Sequence, residues 1–290
     1  MTSPIRVSVR RGDAVESRHA VHAVAVRDGA LVESAGDPDL VTVMRSAAKP
    51  LQALPVALVA PDLPNEELAI ACASHEALPD QLAAVKSLLA RSWSTEDDLE
   101  CGAESGSRLR HNCSGKHAGM LLVTKRREWP LPGYRFPDHP LQRELLEVVS
   151  EAAGMSASDV ELGIDGCGVL AFGLPLRAMA TAFARLGTHE LNGSQRVTAA
   201  MVTHPELIGG PDAVDTAVMQ AVPGVLAKRG AEGVLCAALA DGTGVALKVE
   251  DGAARAIPAA AAAFLGAEAL RSTTVFNSRH EPVGSIEADS

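Results

Sequence analysis

The sequence is poor in aromatic residues: two tryptophans, one tyrosine and five phenylalanines make up 3% of its 290 residues. Because 47% of the residues are nevertheless hydrophobic, we expect a large core built from alanine, valine and leucine. Basic residues are also in deficit, with 26 lysines and arginines against 36 acidic residues and a net charge of −10. This balance argues against nucleic acid or a membrane surface as the partner, since both attract basic patches.

Long apolar runs are absent as well. None reaches the roughly 20 residues of a membrane-spanning helix, and the longest, around 256–265, contains Pro258. The N-terminus is polar and charged and lacks the apolar centre of a signal peptide. Five widely spaced cysteines, without a C-x-x-C pair or a secretion signal, do not predict a disulfide framework. We therefore expect a cytoplasmic protein.

The predicted elements change in type along the chain. Segments 5–10, 21–27 and 30–35 alternate apolar and polar residues, which predicts antiparallel strands. Helical periodicity follows at 46–59, 79–91, 116–126, 140–153, 175–186 and 194–203. Near the C-terminus, V-L-C-A-A-L and G-V-A-L-K-V predict a strand pair with D-G turns, and a last helix follows.

This order predicts an α+β fold, with a mixed or antiparallel sheet that is built from both termini around a central helical region. No repeat or low-complexity linker marks a domain boundary. We interpret residues 1–290 as a single compact catalytic unit, and a division into two lobes has no visible boundary.

One lysine stands three residues after a serine, in M-R-S-A-A-K-P at 44–50. If a helix opens at Ser46, the side chains of Ser46 and Lys49 share a face. Burial lowers the pKa of a lysine, and a neutral lysine can take the proton of a serine and make its hydroxyl a nucleophile. Arginine cannot do so because it stays charged. An ordinary helix start with an exposed lysine is the alternative interpretation.

Three other segments contain reactive residue types. A-C-A-S-H-E places Ser74 and His75 after an apolar run, where a helix N-cap is the alternative. H-N-C-S-G-K-H (111–117) is compatible with a polar turn or with a functional site, and I-D-G-C-G-V contains a second cysteine among glycines. Lys248 interrupts an apolar strand, a pattern that is also typical of a solvated lysine on an edge strand.

The order of these motifs is more specific than any one of them. The chain resembles the thermolabile, rhizobial-type L-asparaginase II family from about residue 7 to about residue 270, through R-S-A-A-K-P-L-Q, A-S-H-E, N-C-S-G-K-H-A-G-M-L, G-I-D-G-C-G-V, H-P-E-L-I-G-G and K-R-G-A-E-G-V. The resemblance implies a fold like that of serine β-lactamases and glutaminases. It also implies a homodimer that hydrolyses L-asparagine to L-aspartate and ammonia.

The resemblance further assigns roles to single residues. It implies two catalytic Ser–Lys pairs, Ser46 with Lys49 and Ser74 with Lys248. It places three residues near the bound substrate, namely Arg45, His117 and Asp165. It also implies a zinc ion with three ligands, Cys113, Lys116 and Cys167.

The chain departs from the family pattern at three places. It reads S-H-E-A-L-P where Gly-Glu usually follows Ser-His, so the segment Glu76–Leu78 is altered. The stretch between Cys101 and Cys113 is short, and Ala213 and Val214 replace the usual Arg-Phe before Asp-Thr. These changes bear on substrate preference more than on the class of reaction.

We therefore expect Ser46 to attack the side-chain amide carbon of L-asparagine, with Lys49 as the base. Ser74 and Lys248 would complete a proton relay or supply an alternative nucleophile. Asp165 would bind the α-ammonium of the substrate and Arg45 its α-carboxylate. A glutaminase-type amidase and an amino-acid-binding protein without turnover are the alternatives. A penicillin-recognising hydrolase is not favoured, because neither K-T-G nor S-D-N accompanies the S-x-x-K motif.

Overall fold

Strands come from both ends of the chain, as the sequence predicts. A computed structural model describes residues 2–289. Its strands are β1 (Ile5–Arg11), β2 (Ala14–Arg27), β3 (Ala30–Ala35), β4 (Val41–Val43), β5 (Glu161–Ile164), β6 (Leu170–Pro175), β7 (Leu226–Gly230), β8 (Val234–Ala238), β9 (Gly244–Val249), β10 (Ser272–Phe276) and β11 (Pro282–Ala288).

The helices lie mainly between the two groups of strands. They are α1 (Lys49–Gln52), α2 (Leu54–Val59), α3 (Asn65–Ala71), α4 (Pro79–Arg91), α5 (Ser114–Arg126), α6 (Pro140–Ala153), α7 (Leu176–Gly187), α8 (Ser194–Thr203), α9 (Pro205–Gly209), α10 (Val214–Ala221) and α11 (Ile257–Leu265). Short 3₁₀ helices occur at Arg45–Ala48, Glu96–Asp98, Ala157–Asp159, Ala254–Ala256 and Glu268–Leu270.

The larger sheet joins the two termini. Its antiparallel strands follow the order β10-β11-β1-β2-β9-β8-β7, and β3 pairs with β2. Helix α7 contacts β2, β8 and β9, and α11 contacts β1, β2, β9, β10 and β11. The close approach of α7 requires glycine at position 244, because a side-chain carbon there would lie 1.9 Å from the Ala180 carbonyl oxygen. The predicted α+β fold with a sheet from both termini is confirmed.

A smaller sheet of order β4-β6-β5 lies in the central region, and the sequence analysis did not predict it. The helices α4, α6 and α8 have the predicted bounds. The predicted helix at 46–59 is instead a 3₁₀ turn followed by α1 and α2. Pro50 and Pro55, which lack a backbone N–H, each stand near the start of one of these short helices. Within residues 2–289, no helix has the length and apolarity that crossing a membrane requires.

Candidate active site

The segment that contains Ser46 connects the smaller sheet to the helices. Strand β4 ends at Val43, and Arg45 follows with φ = +52°, a left-handed conformation that is strained for a residue with a side chain. Gly230 of β7 lies against this turn, since a side-chain carbon there would be 2.4 Å from the Met44 carbonyl oxygen. The edge strand β7 therefore packs directly on the turn that holds Ser46, which is half-buried.

Lys49 is fully buried one turn after Ser46. Its Nζ lies 2.9 Å from Ser74 Oγ, 2.5 Å from the Ala73 carbonyl oxygen and 3.4 Å from the Asn112 carbonyl oxygen. Burial lowers the pKa of Lys49, and the nearby Cys113 opposes this shift only in part. A neutral Lys49 can donate both its protons to the two carbonyls and accept the Ser74 hydroxyl proton. Of the two serines, Ser74 rather than Ser46 is hydrogen-bonded to Lys49.

Backbone hydrogen bonds to two other segments fix the position of Ser74. Its backbone N–H donates to the Ile208 carbonyl oxygen at 2.7 Å, and the next N–H, of His75, donates to the Asn112 carbonyl oxygen. The His75 ring accepts from Ala77 N at Nδ1 and lies 2.8 Å from Ser114 Oγ at Nε2, so it is a neutral ring protonated at Nε2. Burial lowers its pKa to about 4. Ser74 is not a helix N-cap, because α4 begins at Pro79.

The predicted pair of Ser74 with Lys248 is wrong, because the structure does not bring Lys248 to Ser74. Lys248 lies on β9, two strands away from the edge strand β7, and its Nζ donates to the carbonyl oxygens of Glu232 and Val249 at 2.6 Å. The interpretation as a solvated lysine on an edge strand does not hold either, because β9 is flanked by β2 and β8 and Lys248 is buried.

A different lysine, Lys228 of β7, lies at the site. It is fully buried, and its Nζ lies 2.8 Å from Asp215 Oδ2. Burial lowers its pKa to about 8, with Asp215 opposing the shift and Lys49 adding to it. Side chains two apart on a strand share a face, so Lys228 and Gly230 both face the turn that holds Ser46. The sequence feature that could have identified Lys228 is K-R-G at 228–230, which has the spacing of K-T-G with arginine in the middle.

The three predicted zinc ligands converge. Lys116 Nζ lies 3.0 Å from Cys167 Sγ, and Cys113 lies close enough to both for the three groups to affect one another's pKa. The Cys113 thiol donates to Asn112 Oδ1 at 3.1 Å. The neighbouring Cys167 thiol holds the pKa of Cys113 well below its usual range, and Lys49 and Lys116 add to this effect against the cost of burial. Burial lowers the pKa of Lys116, but the neighbouring Cys167, Cys113 and Asp165 outweigh burial and raise it overall.

These side chains match zinc in the kind of donor, since zinc prefers sulfur and nitrogen ligands. Lysine binds a metal only after it loses a proton, so metal binding at this site would be coupled to deprotonation of Lys116. Across residues 2–289, no three His, Cys, Asp or Glu side chains form a metal-binding group, and the predicted set contains only two residues of these types, both cysteines. The zinc ion therefore stays a prediction.

Two of the residues predicted to bind the substrate, Arg45 and Asp165, form an ion pair with each other. Arg45 Nε donates to Asp165 Oδ1 at 2.8 Å, and the Gly166 N–H donates to the same oxygen. Burial raises the pKa of Asp165, but Lys116 and Arg45 outweigh burial and lower it overall. A substrate that used Arg45 and Asp165 as separate anchors would have to break this ion pair.

His117, which follows Lys116, is fully buried. Its Nδ1 lies 2.7 Å from Tyr134 Oη, which accepts from the Glu100 N–H and therefore donates its own proton to His117. Burial holds the pKa of His117 well below its usual range, so the ring is neutral and Nε2 carries the proton. This N–H has no hydrogen-bond partner in the part of the chain that the structure describes.

Comparison with solved structures finds similarity to Mglu. The native form of Mglu is 16% identical with a TM-score of 0.51, and the alignment covers 85% of this chain and 64% of Mglu. Mglu in 4.3 M NaCl is 17% identical with a TM-score of 0.49, and the alignment covers 83% of this chain and 60% of that one. This chain therefore spans less than two thirds of the length of these Mglu chains.

A probable glutaminase from Bacillus subtilis, in complex with 6-diazo-5-oxo-L-norleucine, is 14% identical with a TM-score of 0.36 over 79% of this chain and 76% of that one. No curated protein sequence matches this chain significantly. The family model described as L-asparaginase II matches residues 7–286, which is nearly the whole sequence. The chain therefore belongs to the L-asparaginase II family.

Proposed function

We propose that the protein hydrolyses the side-chain amide of L-asparagine, giving L-aspartate and ammonia. The observation that carries this proposal is the buried Lys49, whose Nζ lies 2.9 Å from Ser74 Oγ and which follows Ser46 by one turn. Burial keeps this amine available as a base, because it disfavours the charged ammonium. Two hydroxyls and a neutral amine at one place are the groups that nucleophilic amide hydrolysis requires.

Ser46 is the proposed nucleophile because it is half-buried, whereas Ser74 is almost fully buried. Its Oγ forms a bond to the amide carbon while its proton moves to Lys49. Lys49 then returns a proton through Ser74 to the departing nitrogen, which leaves as ammonia. Water attacks the resulting ester, with Lys49 again as the base, and releases L-aspartate and free Ser46. A positioned base of this kind contributes about 10² to 10⁴ in rate.

Lys228, rather than the predicted Lys248, is the second lysine of the site, and its proposed role is electrostatic. Its buried ammonium is bonded to Asp215 at 2.8 Å and lies close enough to Lys49 to oppose a second positive charge there. A positive charge at this place disfavours protonation of Lys49 and stabilises negative charge that develops on the attacked amide.

A zinc ion would be held by Cys113, Lys116 and Cys167, where it would act as a Lewis acid toward a carbonyl oxygen. The steps above do not require the ion, because Ser46 supplies the nucleophile and Lys49 the base. The homodimer also stays part of this proposal. It follows from the resemblance to the family alone.

The direct test is ammonia release by the purified protein from L-asparagine, L-glutamine and simple amides. Ser46→Ala is expected to abolish turnover without unfolding the chain, while the exposed control Ser158→Ala retains it. Faster hydrolysis of L-glutamine would favour a glutaminase-type amidase. Binding of L-asparagine without ammonia release would favour an amino-acid-binding protein.

A further inference from the structure

Two consecutive glycines leave room for two carboxylates beside the Ser74 segment. A side-chain carbon at Gly209 would lie 2.5 Å from Asp215 Oδ1, and one at Gly210 would lie 2.6 Å from Glu76 Oε2. The preceding carbonyl, of Ile208, accepts the Ser74 N–H at 2.7 Å. Both carboxylates therefore lie against a backbone segment that is bonded directly to Ser74.

The two carboxylates differ in how fully they are paired. Asp215 is completely buried and accepts hydrogen bonds from Lys228 Nζ and from the backbone N–H groups of Thr216 and Arg229. The Glu76 side chain is 44% exposed, and within residues 2–289 its carboxylate accepts no hydrogen bond. Asp215 is thus a structural anion, whereas Glu76 has acceptor capacity left for a ligand.

Arg229 provides the matching cation. Its guanidinium lies 3.8 Å from Glu76 Oε1 and 3.9 Å from Asp215 Oδ1, and its side chain is 30% exposed. Both separations exceed hydrogen-bonding distance, and the side chain donates no hydrogen bond to any residue from 2 to 289. Arg229 therefore has guanidinium N–H donors left for a ligand on its exposed side.

Arg229 and Glu76 also lie next to the reactive groups. Arg229 follows Lys228 on β7, whose Gly230 packs against the turn that holds Ser46, and Glu76 follows Ser74 by two residues. In contrast, Arg45 and Asp165 are bonded to each other at 2.8 Å. Arg229 and Glu76 are therefore opposite charges at the site that face each other at 3.8 Å without a hydrogen bond between them.

We infer that Arg229 and Glu76 form a clamp for a free amino acid, in which Arg229 binds the α-carboxylate and Glu76 binds the α-ammonium. This inference rests on the proposed function and defines its substrate class as amides of unblocked α-amino acids. The planar guanidinium suits a carboxylate, with two parallel N–H donors. A zwitterion brings no net charge to a pair that is itself neutral, so neither protein charge is left unpaired after binding.

Three amides separate the two contacts. L-asparagine has both α-groups, succinamic acid lacks the ammonium, and 3-aminopropanamide lacks the carboxylate. Arg229→Gln should raise KM for L-asparagine and succinamic acid about 10- to 100-fold and leave KM for 3-aminopropanamide nearly unchanged. Glu76→Gln should raise KM for L-asparagine and 3-aminopropanamide by a similar factor and spare succinamic acid. Arg271→Gln, which removes the exposed Arg271–Glu268 pair at 3.7 Å, is the control and should change none of these values.

An unchanged KM for L-asparagine in both variants would overturn the clamp and would point to Arg45 and Asp165 as the anchors. An equal rise for all three amides would also overturn it, because that result indicates general damage to the site. If the wild-type protein releases no ammonia at all, the proposed function fails. The clamp is then tested by calorimetry, which measures the binding of L-asparagine to the wild type and to both variants. Weaker binding in both variants would then support it, whereas equal binding, or no binding to the wild type, would overturn it.

Discussion

Replacement of Lys49 tests the proton transfers most specifically. Its Nζ is buried among the Ala73 and Asn112 carbonyl oxygens and the Ser74 hydroxyl, so the substitution acts on a known set of partners. Lys49→Met keeps an unbranched side chain of similar length but removes the amine, and Lys49→Arg keeps a positive charge that cannot be lost. Both variants lack a base.

The expected loss follows from the role of a general base. A positioned base contributes about 10² to 10⁴ in rate, which corresponds to roughly 3 to 5 kcal/mol of transition-state stabilisation. Lys49→Met also leaves the buried carbonyl oxygen of Ala73 without this donor, at a cost of about 1 to 3 kcal/mol in the free energy of unfolding. Lys49→Arg adds volume to a fully buried position, which typically costs about 1 to 3 kcal/mol.

The assay is kcat/KM for ammonia release from L-asparagine, with the free energy of unfolding measured on the same preparations. We expect both variants to remain folded and to lose at least about 10²-fold in kcat/KM. In the wild type, kcat/KM should fall with decreasing pH as Lys49 is protonated. The residual kcat/KM of Lys49→Met should not show this decrease. Wild-type activity in folded Lys49→Arg would refute the assignment of Lys49 as the base.

Three further predictions concern substrate length, His75 and the thiols. L-Glutamine, one methylene longer than L-asparagine, should be hydrolysed about 10²-fold less efficiently, because its amide carbon is misplaced relative to Ser46; equal kcat/KM values would contradict a fixed anchor. His75 binds protons less tightly in the folded state, with a pKa of about 4 against 6.5, so its contribution to stability is lost as pH falls from 6.5 to 4. His75→Asn should remove up to about 3 kcal/mol of that pH dependence in unfolding experiments, and an unchanged pH profile would show that the ring is not held neutral. Elemental analysis should find about one zinc ion per chain, and Cys113→Ser with Cys167→Ser should lose it; a metal-free wild-type protein would contradict the zinc prediction.

Local patterns of the sequence predict much of this fold. Three helices, α4, α6 and α8, have the bounds that apolar periodicity predicts. The helix predicted over 46–59 was wrong as a continuous element, although Pro50 and Pro55, which stand at the starts of its two pieces, are visible in the sequence. The smaller sheet was missed because its outer strands are only three and four residues long.

The lysines show why the site was only partly predictable. The pattern around Lys248 correctly indicates a strand, but the order of strands in a sheet depends on pairing between distant segments, and that order places β7 rather than β9 beside Ser46. The sequence also contains no local signal that Lys228 is neutralised by Asp215, which lies on a helix. The bond between Lys49 and Ser74, 25 positions apart, is likewise a product of tertiary packing.

The central claim is that Ser46 becomes acylated during turnover. The most direct measurement is acid quenching of the protein while it turns over L-asparagine, followed by peptide mapping by mass spectrometry. We predict an aspartyl adduct on the peptide that contains Ser46, which disappears in Ser46→Ala. An aspartyl adduct on Ser74, with Ser46 unmodified, would contradict the account.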